Sequence, residues 1–418
     1  MVSNLLYFRS RLEKPELYAV NEKQGPDNPW DKGMWGFILL FSAADFISIS
    51  VAQIAVAGLI VCWVGRWISE KKAPDISPLG LPFAVFAALS IISAVLSLDV
   101  IESIKDSKDL LHILIYFAAY DFLRRYPTKT GTVFRVIAMA GGIAALVGML
   151  QVEDRGVDVM NRISGFQNIY MTFAGLLMIS TVTAMAVVAF DFRKWKDAWI
   201  PASIAIMVFA MLFSLTRNAW IGTMAGVMTL AVLRKPVLAI IVPAIVLVIL
   251  AVSPSNVQDR VGSMFNPKDS TNKERLLLWQ AGAKIVADYP LFGVGQNSFP
   301  LVYKKYRSPD VLEPHISHLH NNFLEIAVER GFLGLVSWTA IFVIALWVMI
   351  RAWQKQKGDQ SARMAITAGA GATLAFLTAG LFEYNFGDSE VQMLIYLVMA
   401  GGIAAVTKKE PSDYGINP

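Results

Sequence analysis

Three of the chain's four histidines, His315, His318 and His320, fall within one short polar stretch. Imidazole is the side chain best placed to exchange a proton near neutral pH. His320 stands at an expected helix start. It suits a general base acting on a hydroxyl, provided that a partner orients its second ring nitrogen. The bland alternative is a capping or interface histidine. The spacing His-x-x-His-x-His also suits zinc, but the nearest upstream acids are Asp310 and Glu313 and no second ligand cluster follows, so no metal is expected. His318, Asn321 and Glu325 are supporting candidates from the same stretch.

Arginines supply the second kind of chemistry. Arg217 lies in Ser214-Leu-Thr-Arg-Asn-Ala-Trp-Ile-Gly222, a tight turn between two apolar runs. An arginine at a membrane boundary is often only a snorkelling anchor. A guanidinium there can also grip an anionic group bidentately. Arg275 stands one helical turn before Trp279 and shares a face with it, and Arg260 lies upstream in the same polar segment. Three arginines converging would suit a diphosphate. Glu383 and Asp388, in Phe382-Glu-Tyr-Asn-Phe-Gly-Asp, occupy another turn; either can orient His320 or a bound acceptor. Asp45 and Gln53 are weaker candidates of the same kind. No phosphate-binding loop, dinucleotide fingerprint or serine elbow is present, which argues against nucleotide hydrolysis and hydride transfer.

The elements that must position these residues are membrane helices. Of 418 residues, 55% are hydrophobic and only 17% charged. Apolar runs recur at the length that crosses a bilayer. The expectation is an all-α polytopic membrane protein of about twelve transmembrane helices. The first two, Gly36–Ile49 and Val51–Trp67, run together as a hairpin or a broken element, and Leu110–Leu123 is the fourth. The expected division is an N-terminal tail over 1–33, helices over 34–253, one large structured loop over 254–331, further helices over 332–406 and a C-terminal tail over 407–418. Within the loop, Thr271-Asn-Lys-Glu274 reads as a capping box opening a helix. Asn321 to Glu329 reads as a second helix ending at Gly331.

Loop charge sets an orientation. Arg66, Lys71, Lys72, Arg124, Arg125, Lys129, Arg193, Lys194, Lys196, Arg234 and Lys235 all fall on one side of the expected spans. The short loops opposite hold only Lys105, Lys108, Arg155, Arg162 and Arg217. The positive-inside rule then puts both termini in the cytoplasm and the large loop outside. The single cysteine, Cys62, allows no internal disulfide. The N-terminal segment lacks a cleavable signal pattern, so the first helix is expected to serve as the insertion signal. The net charge of +5 reflects loop topology, and no basic stripe suggests nucleic acid.

Four segments in order carry a resemblance: Ser214-Leu-Thr-Arg-Asn-Ala-Trp, Glu274-Arg-Leu-Leu-Leu-Trp, Pro290-Leu-Phe-Gly-Val-Gly and His318-Leu-His-Asn-Asn-Phe-Leu-Glu. With the run from Arg162 to Gly175, they resemble the O-antigen ligase family, which includes bacterial polysaccharide polymerases. The resemblance implies a metal-independent membrane glycosyltransferase of the C type, needing no cofactor, in the bacterial inner membrane. It implies a glycan donor linked to undecaprenyl diphosphate, used at the periplasmic face with inversion, and lipid A–core or another glycan as acceptor. By this resemblance His320 matches the essential histidine, and Arg217 and Arg275 match diphosphate-binding arginines. Arg260 joins them on the charge argument. A polymerase using the same donor, or a protein O-glycosyltransferase, is the alternative within the class. A transporter or flippase is the alternative outside it, and it would bury ionisable residues at mid-membrane. The expected spans are nearly free of them.

Overall fold

The computed structural model describes residue 26 and residues 28–406, apart from 72, 75–76, 156–160, 267 and 312–314. The C-terminal tail, Lys408 and Lys409 with it, and most of the N-terminal tail lie outside the described residues, as does Glu313. Among the described residues the chain is all-helical, and it is an all-α polytopic membrane protein. Seven helices are long and apolar enough to cross a membrane. The expected twelve spans each overlie a helix, but several of these helices are shorter than a bilayer requires. Leu110–Leu123 is the clearest case: it resolves into a 3-10 turn over Ser107–His112 and a helix of only 13 residues, Ile113–Arg125.

In chain order the helices are α1 (Pro29–Ala44), α2 (Ile49–Glu70), α3 (Gly80–Val95), α4 (Val100–Asp106), α5 (Ile113–Arg125), α6 (Thr130–Arg155), α7 (Tyr170–Phe190) and α8 (Ile200–Phe213). Then follow α9 (Arg217–Arg234), α10 (Leu238–Ala251), α11 (Ser255–Gly262), α12 (Ser270–Asp288), α13 (Phe299–Tyr306), α14 (Asn322–Lys355), α15 (Gln360–Ala379) and α16 (Ser389–Val406). Helix α1 begins before the expected tail boundary at 33. Asn28 caps α1 by accepting from Trp30 N–H, and Pro29 sits at the first helical position, so the helix starts inside the expected tail. The capping box is also displaced. Asp269, not Thr271, caps α12, accepting from Asn272 N–H two residues earlier than expected.

Helices α7 and α16 are apolar all round and almost wholly buried, which marks them as the bundle centre. Against them α9 packs on α15 along small residues. A Cβ added at Gly222 of α9 would lie 2.7 Å from the Ala375 carbonyl of α15, so only glycine permits this backbone approach. The contact has a functional consequence. It brings the start of α9, at Arg217, beside the turn that follows α15 and carries Glu383.

The polar segment folds over this end of the bundle around its own small core. Leu278, Ala281, Ile285, Val294, Phe299, Tyr303, Leu319 and Val328 form it. Gly331 is the joint. With φ 67° and ψ −173° it breaks α14 into a segment of the polar domain and a long membrane helix. The preceding turn segment lies against the break: Phe332 N–H donates to Pro290 O at 2.7 Å and Gly295 N–H to Glu329 O at 2.9 Å. A Cβ at Gly331 would sit 2.2 Å from Leu291 O. This backbone region is essentially closed to other residues and costs them about 1–3 kcal/mol even without a clash. Gly331→Ala is therefore expected to lower the thermal unfolding temperature of the detergent-purified protein by at least several degrees. An unchanged unfolding temperature and unchanged yield would contradict this account of the joint.

At the opposite end of the bundle the arginines are matched to carboxylates. Arg125 reaches Asp31 at 2.7 Å and Asp121 at 3.0 Å, and Arg66 reaches Asp31 at 3.2 Å. Arg135 grips Asp197 through two nitrogens at 2.9 and 2.7 Å and reaches Asp191 at 3.0 Å. Such paired, buried charges satisfy one another and hold helix ends together.

Candidate active site

The histidine loop is fastened to the turn after α15. Asn321 caps α14 by accepting from Leu324 N–H, and its amide donates to Leu381 O at 2.9 Å. Asn322 donates its backbone N–H to Gly380 O at 2.7 Å and its amide to Asn385 at 2.6 Å, and accepts from Phe386 N–H. Glu325, fully buried, accepts the Leu319 N–H at 2.6 Å. These bonds place residues 318–320 directly against Glu383. His320 adopts a left-handed backbone, φ 49°, which few residues other than glycine occupy.

Both histidines bond the same carboxylate oxygen. His320 Nδ1 lies 2.8 Å from Glu383 Oε1, and His318 Nε2 lies 3.2 Å from it. A carboxylate only accepts, so each of these nitrogens carries a proton. His318 Nδ1 is then the acceptor for Ser317 Oγ–H at 2.9 Å. His320 Nε2 is left as a lone pair with no hydrogen bond among the described residues. The pattern thus separates two histidines that sequence spacing leaves side by side: one has both ring nitrogens bonded, the other an oriented ring with Nε2 unbonded among the described residues. Burial alone would raise the Glu383 pKa. The hydrogen bonds from His318 and His320 overturn that and hold its carboxyl well below the usual carboxylate range.

The second oxygen, Glu383 Oε2, lies 3.6 Å from Arg275 Nη2, an ion-pair distance rather than a direct hydrogen bond. Arg275 opens onto a cleft of about 60 Å³ lined by Arg162, Tyr170, Met171, Thr216, Arg217, Asn218, Arg260 and Thr271. Four arginines meet there. Arg217 is 5% exposed, so it is no snorkelling anchor; its Nη1 donates to Ser263 Oγ at 2.9 Å and faces Asp269 at 3.5 Å. Its Nη2 and Arg275 Nε are buried without a hydrogen-bond partner among the described residues. Arg260 Nε donates to Leu215 O at 3.3 Å. Arg162 lies over the Tyr170 ring at 4.3 Å.

The electrostatics fit an anion site. Burial pushes the Arg260 pKa down to about 10, and the charges of Arg217 and Arg162 push the same way. Burial also lowers Arg275 and Arg162, with Arg217 repelling both. Cations held this close gain from any anion placed among them. The start of α9 adds a helix dipole: Thr216, its N-cap, makes no side-chain cap, and Thr216, Arg217 and Asn218 line the cleft. The cleft has room for about two waters.

Of the expected site residues, His318, His320, Glu383 and Arg275 form one contiguous chain of contacts, and Arg217 and Arg260 share the cleft with Arg275. Asn321 and Glu325 act on the backbone of the loop. His315 stands apart on another pocket, and Gln53 is exposed on α2. Asp45 is fully buried with both carboxylate oxygens unbonded among the described residues. Asp388 is pushed up to about 7 by burial first, then by the charges of Glu383 and Glu390. Arg162 and Tyr170 were not among the expected site residues. The usable signal was Arg162's place on an otherwise sparsely charged side, eight residues before Tyr170. His318, His320 and Glu383 also offer three metal-ligating atoms within 4.8 Å of one another. This set could hold zinc, but a metal there would displace the hydrogen bonds that orient the ring.

Residues 202–339 match the family described as O-Antigen ligase. This match covers about a third of the chain. Arg217, Arg260, Arg275, His318 and His320 fall inside the matched region, whereas Arg162, Tyr170 and Glu383 reach the site from elements outside it. The chain is also 30% identical over 110 residues to the exopolysaccharide production protein ExoQ of Rhizobium meliloti (strain 1021). That match spans a quarter of each chain, 25% of this one and 25% of the relative.

Proposed function

We propose that the protein is a glycosyltransferase that takes a glycan from undecaprenyl diphosphate and passes it to a sugar hydroxyl of lipid A–core, as an O-antigen ligase. The supporting observation is Glu383, whose two oxygens face the imidazole base on one side and the arginine cleft on the other. The acceptor hydroxyl gives its proton to His320 Nε2 as its oxygen attacks the anomeric carbon. The bond from that carbon to the diphosphate oxygen breaks, and the lipid diphosphate leaves with the electron pair. Arg217, Arg275, Arg260 and the start of α9 stabilise the charge that develops on it. Attack opposite the leaving group inverts the anomeric centre. The reading places the site at the periplasmic face of the bacterial inner membrane, both termini cytoplasmic, with the 254–331 segment as the periplasmic loop. The loop-charge asymmetry and the paired arginines at the other end support that orientation.

A second reading is favoured by the resemblance to a protein named for exopolysaccharide production: a polymerase that uses the same donor but extends a second lipid-linked repeat. Reconstitution of the purified protein with lipid-linked glycan and both acceptors, lipid A–core and lipid-linked repeat, distinguishes the two. Extension of lipid A–core alone supports the ligase, extension of the repeat alone supports the polymerase, and donor consumption by neither route defeats both. Transfer is expected to persist in excess chelator, and its loss there would revive the zinc reading of His318, His320 and Glu383.

A further inference from the structure

The acceptor side of the site is the part that the catalytic contacts leave open, and a second pocket lies next to it. It encloses about 250 Å³ and is lined by Pro300, Tyr303, Lys304, His315, Ile316 and Ser317. Its walls are α13 and the loop that runs into the histidine pair. Ser317 belongs to both places, since its hydroxyl bonds His318 Nδ1 at 2.9 Å. The Tyr303 ring is locked in the core of the polar domain, 5.1 Å from Phe299 and 1% exposed. Yet its hydroxyl has no hydrogen-bond partner among the described residues. A buried hydroxyl left unbonded is uncommon in a folded protein and marks a place where a ligand or water completes the bond. Burial and the charge of Glu274 push this phenol up, so it stays a protonated donor.

The wall chemistry is one-sided. Tyr303, Lys304 and His315 offer donor hydrogens, the Ser317 hydroxyl hydrogen being held by His318 Nδ1, while none of the six residues is a carboxylate or a carboxamide. A pocket for neutral sugars needs strong acceptors for hydroxyl protons. This one instead offers an ammonium, an imidazole and the Tyr303 hydroxyl, with Pro300 and Ile316 as an apolar floor for the C–H face of a ring. We infer that this pocket is the acceptor subsite and that it selects a sugar carrying a carboxylate, Lys304 and His315 facing the acid and Tyr303 a ring oxygen. The inference rests on the glycosyltransferase reading for the word acceptor, and on the pocket alone for its preference.

Binding tests it without turnover. The full chain in lipid nanodiscs is titrated with methyl β-glucuronide and with methyl β-glucoside, which differ only in the acid at C6, by saturation-transfer difference NMR. The glucuronide is expected to bind at least tenfold tighter than the glucoside. Lys304→Gln combined with His315→Gln removes that preference, while Tyr303→Phe weakens both sugars severalfold. Equal binding of the two sugars, absence of binding, or an undiminished preference in the Lys304→Gln/His315→Gln protein overturns the inference. Failure of the parent to consume a lipid-linked donor, read in the separate transfer assay, would instead defeat the proposed function and leave the binding result standing.

Discussion

His320→Ala is expected to lower transfer by about 10²–10⁴-fold, the range lost with a positioned general base, while His318→Ala loses far less. The difference follows from the hydrogen bonds. Glu383 Oε1 fixes the proton on His320 Nδ1 at 2.8 Å and so leaves Nε2 free to accept one. His318 has no such free nitrogen, because Ser317 holds its Nδ1. Its removal loosens the loop and frees part of the carboxylate without deleting the base. Single-turnover transfer with purified variants, each compared at equal folded concentration, reads the two losses. Equal losses, or the larger loss at His318, would reverse the assignment. Acid does not imitate the loss of Glu383. Because its folded pKa is depressed, its contribution is fully present above the unfolded value of about 4.3 and declines only as pH falls towards the folded one.

The second large effect is expected at the cleft. Arg217→Ala should reduce kcat/KM for the donor by about 10²–10³-fold, the range for losing one donor to developing negative charge. Arg217→Lys should recover little of it. Lysine keeps the charge but not the fork, and Arg217 works in the folded protein by splitting its nitrogens, Nη1 towards Ser263 and Nη2 into the cleft. The acceptor KM should stay close to the parent value in both variants. A fully active Arg217→Lys protein would show that the cleft needs only charge, and a changed acceptor KM would move Arg217 out of the donor site.

The parts of this arrangement that could be read from the sequence share one physical property. His318, His320, Arg217 and Arg275 are ionisable residues in a chain with few of them, and each sits at the end of an apolar run, so their types alone single them out. Glu383 was visible only as one of two acids in a turn; its selection over Asp388 depends on Asn322 tying residues 320–322 to residues 380–386, a pairing across 64 positions. Arg162 was hidden because it enters the cleft from a loop, where an arginine needs no explanation. Local signals failed where a neighbour offered a better one. Asp269 outcompetes the Thr271–Glu274 box as a cap, and the Asn28–Pro29 pair starts a helix inside a segment whose composition reads as a tail. The twelve expected spans and the seven helices long enough to cross a membrane differ for a similar reason. Hydropathy marks apolar runs but not their length as helices, and in α5 a 3-10 turn takes up part of the run.

The central claim is that one carboxylate, Glu383, makes the base and the anion cleft a single site. A double-mutant cycle in kcat/KM with His320→Ala, Glu383→Gln and the double variant tests it, since residues acting as a unit are not additive. If Glu383 works by orienting His320, the double variant is no worse than His320→Ala beyond the small share owed to Arg275, within about threefold. If the two losses simply multiply, Glu383 and His320 act independently, and the account is wrong.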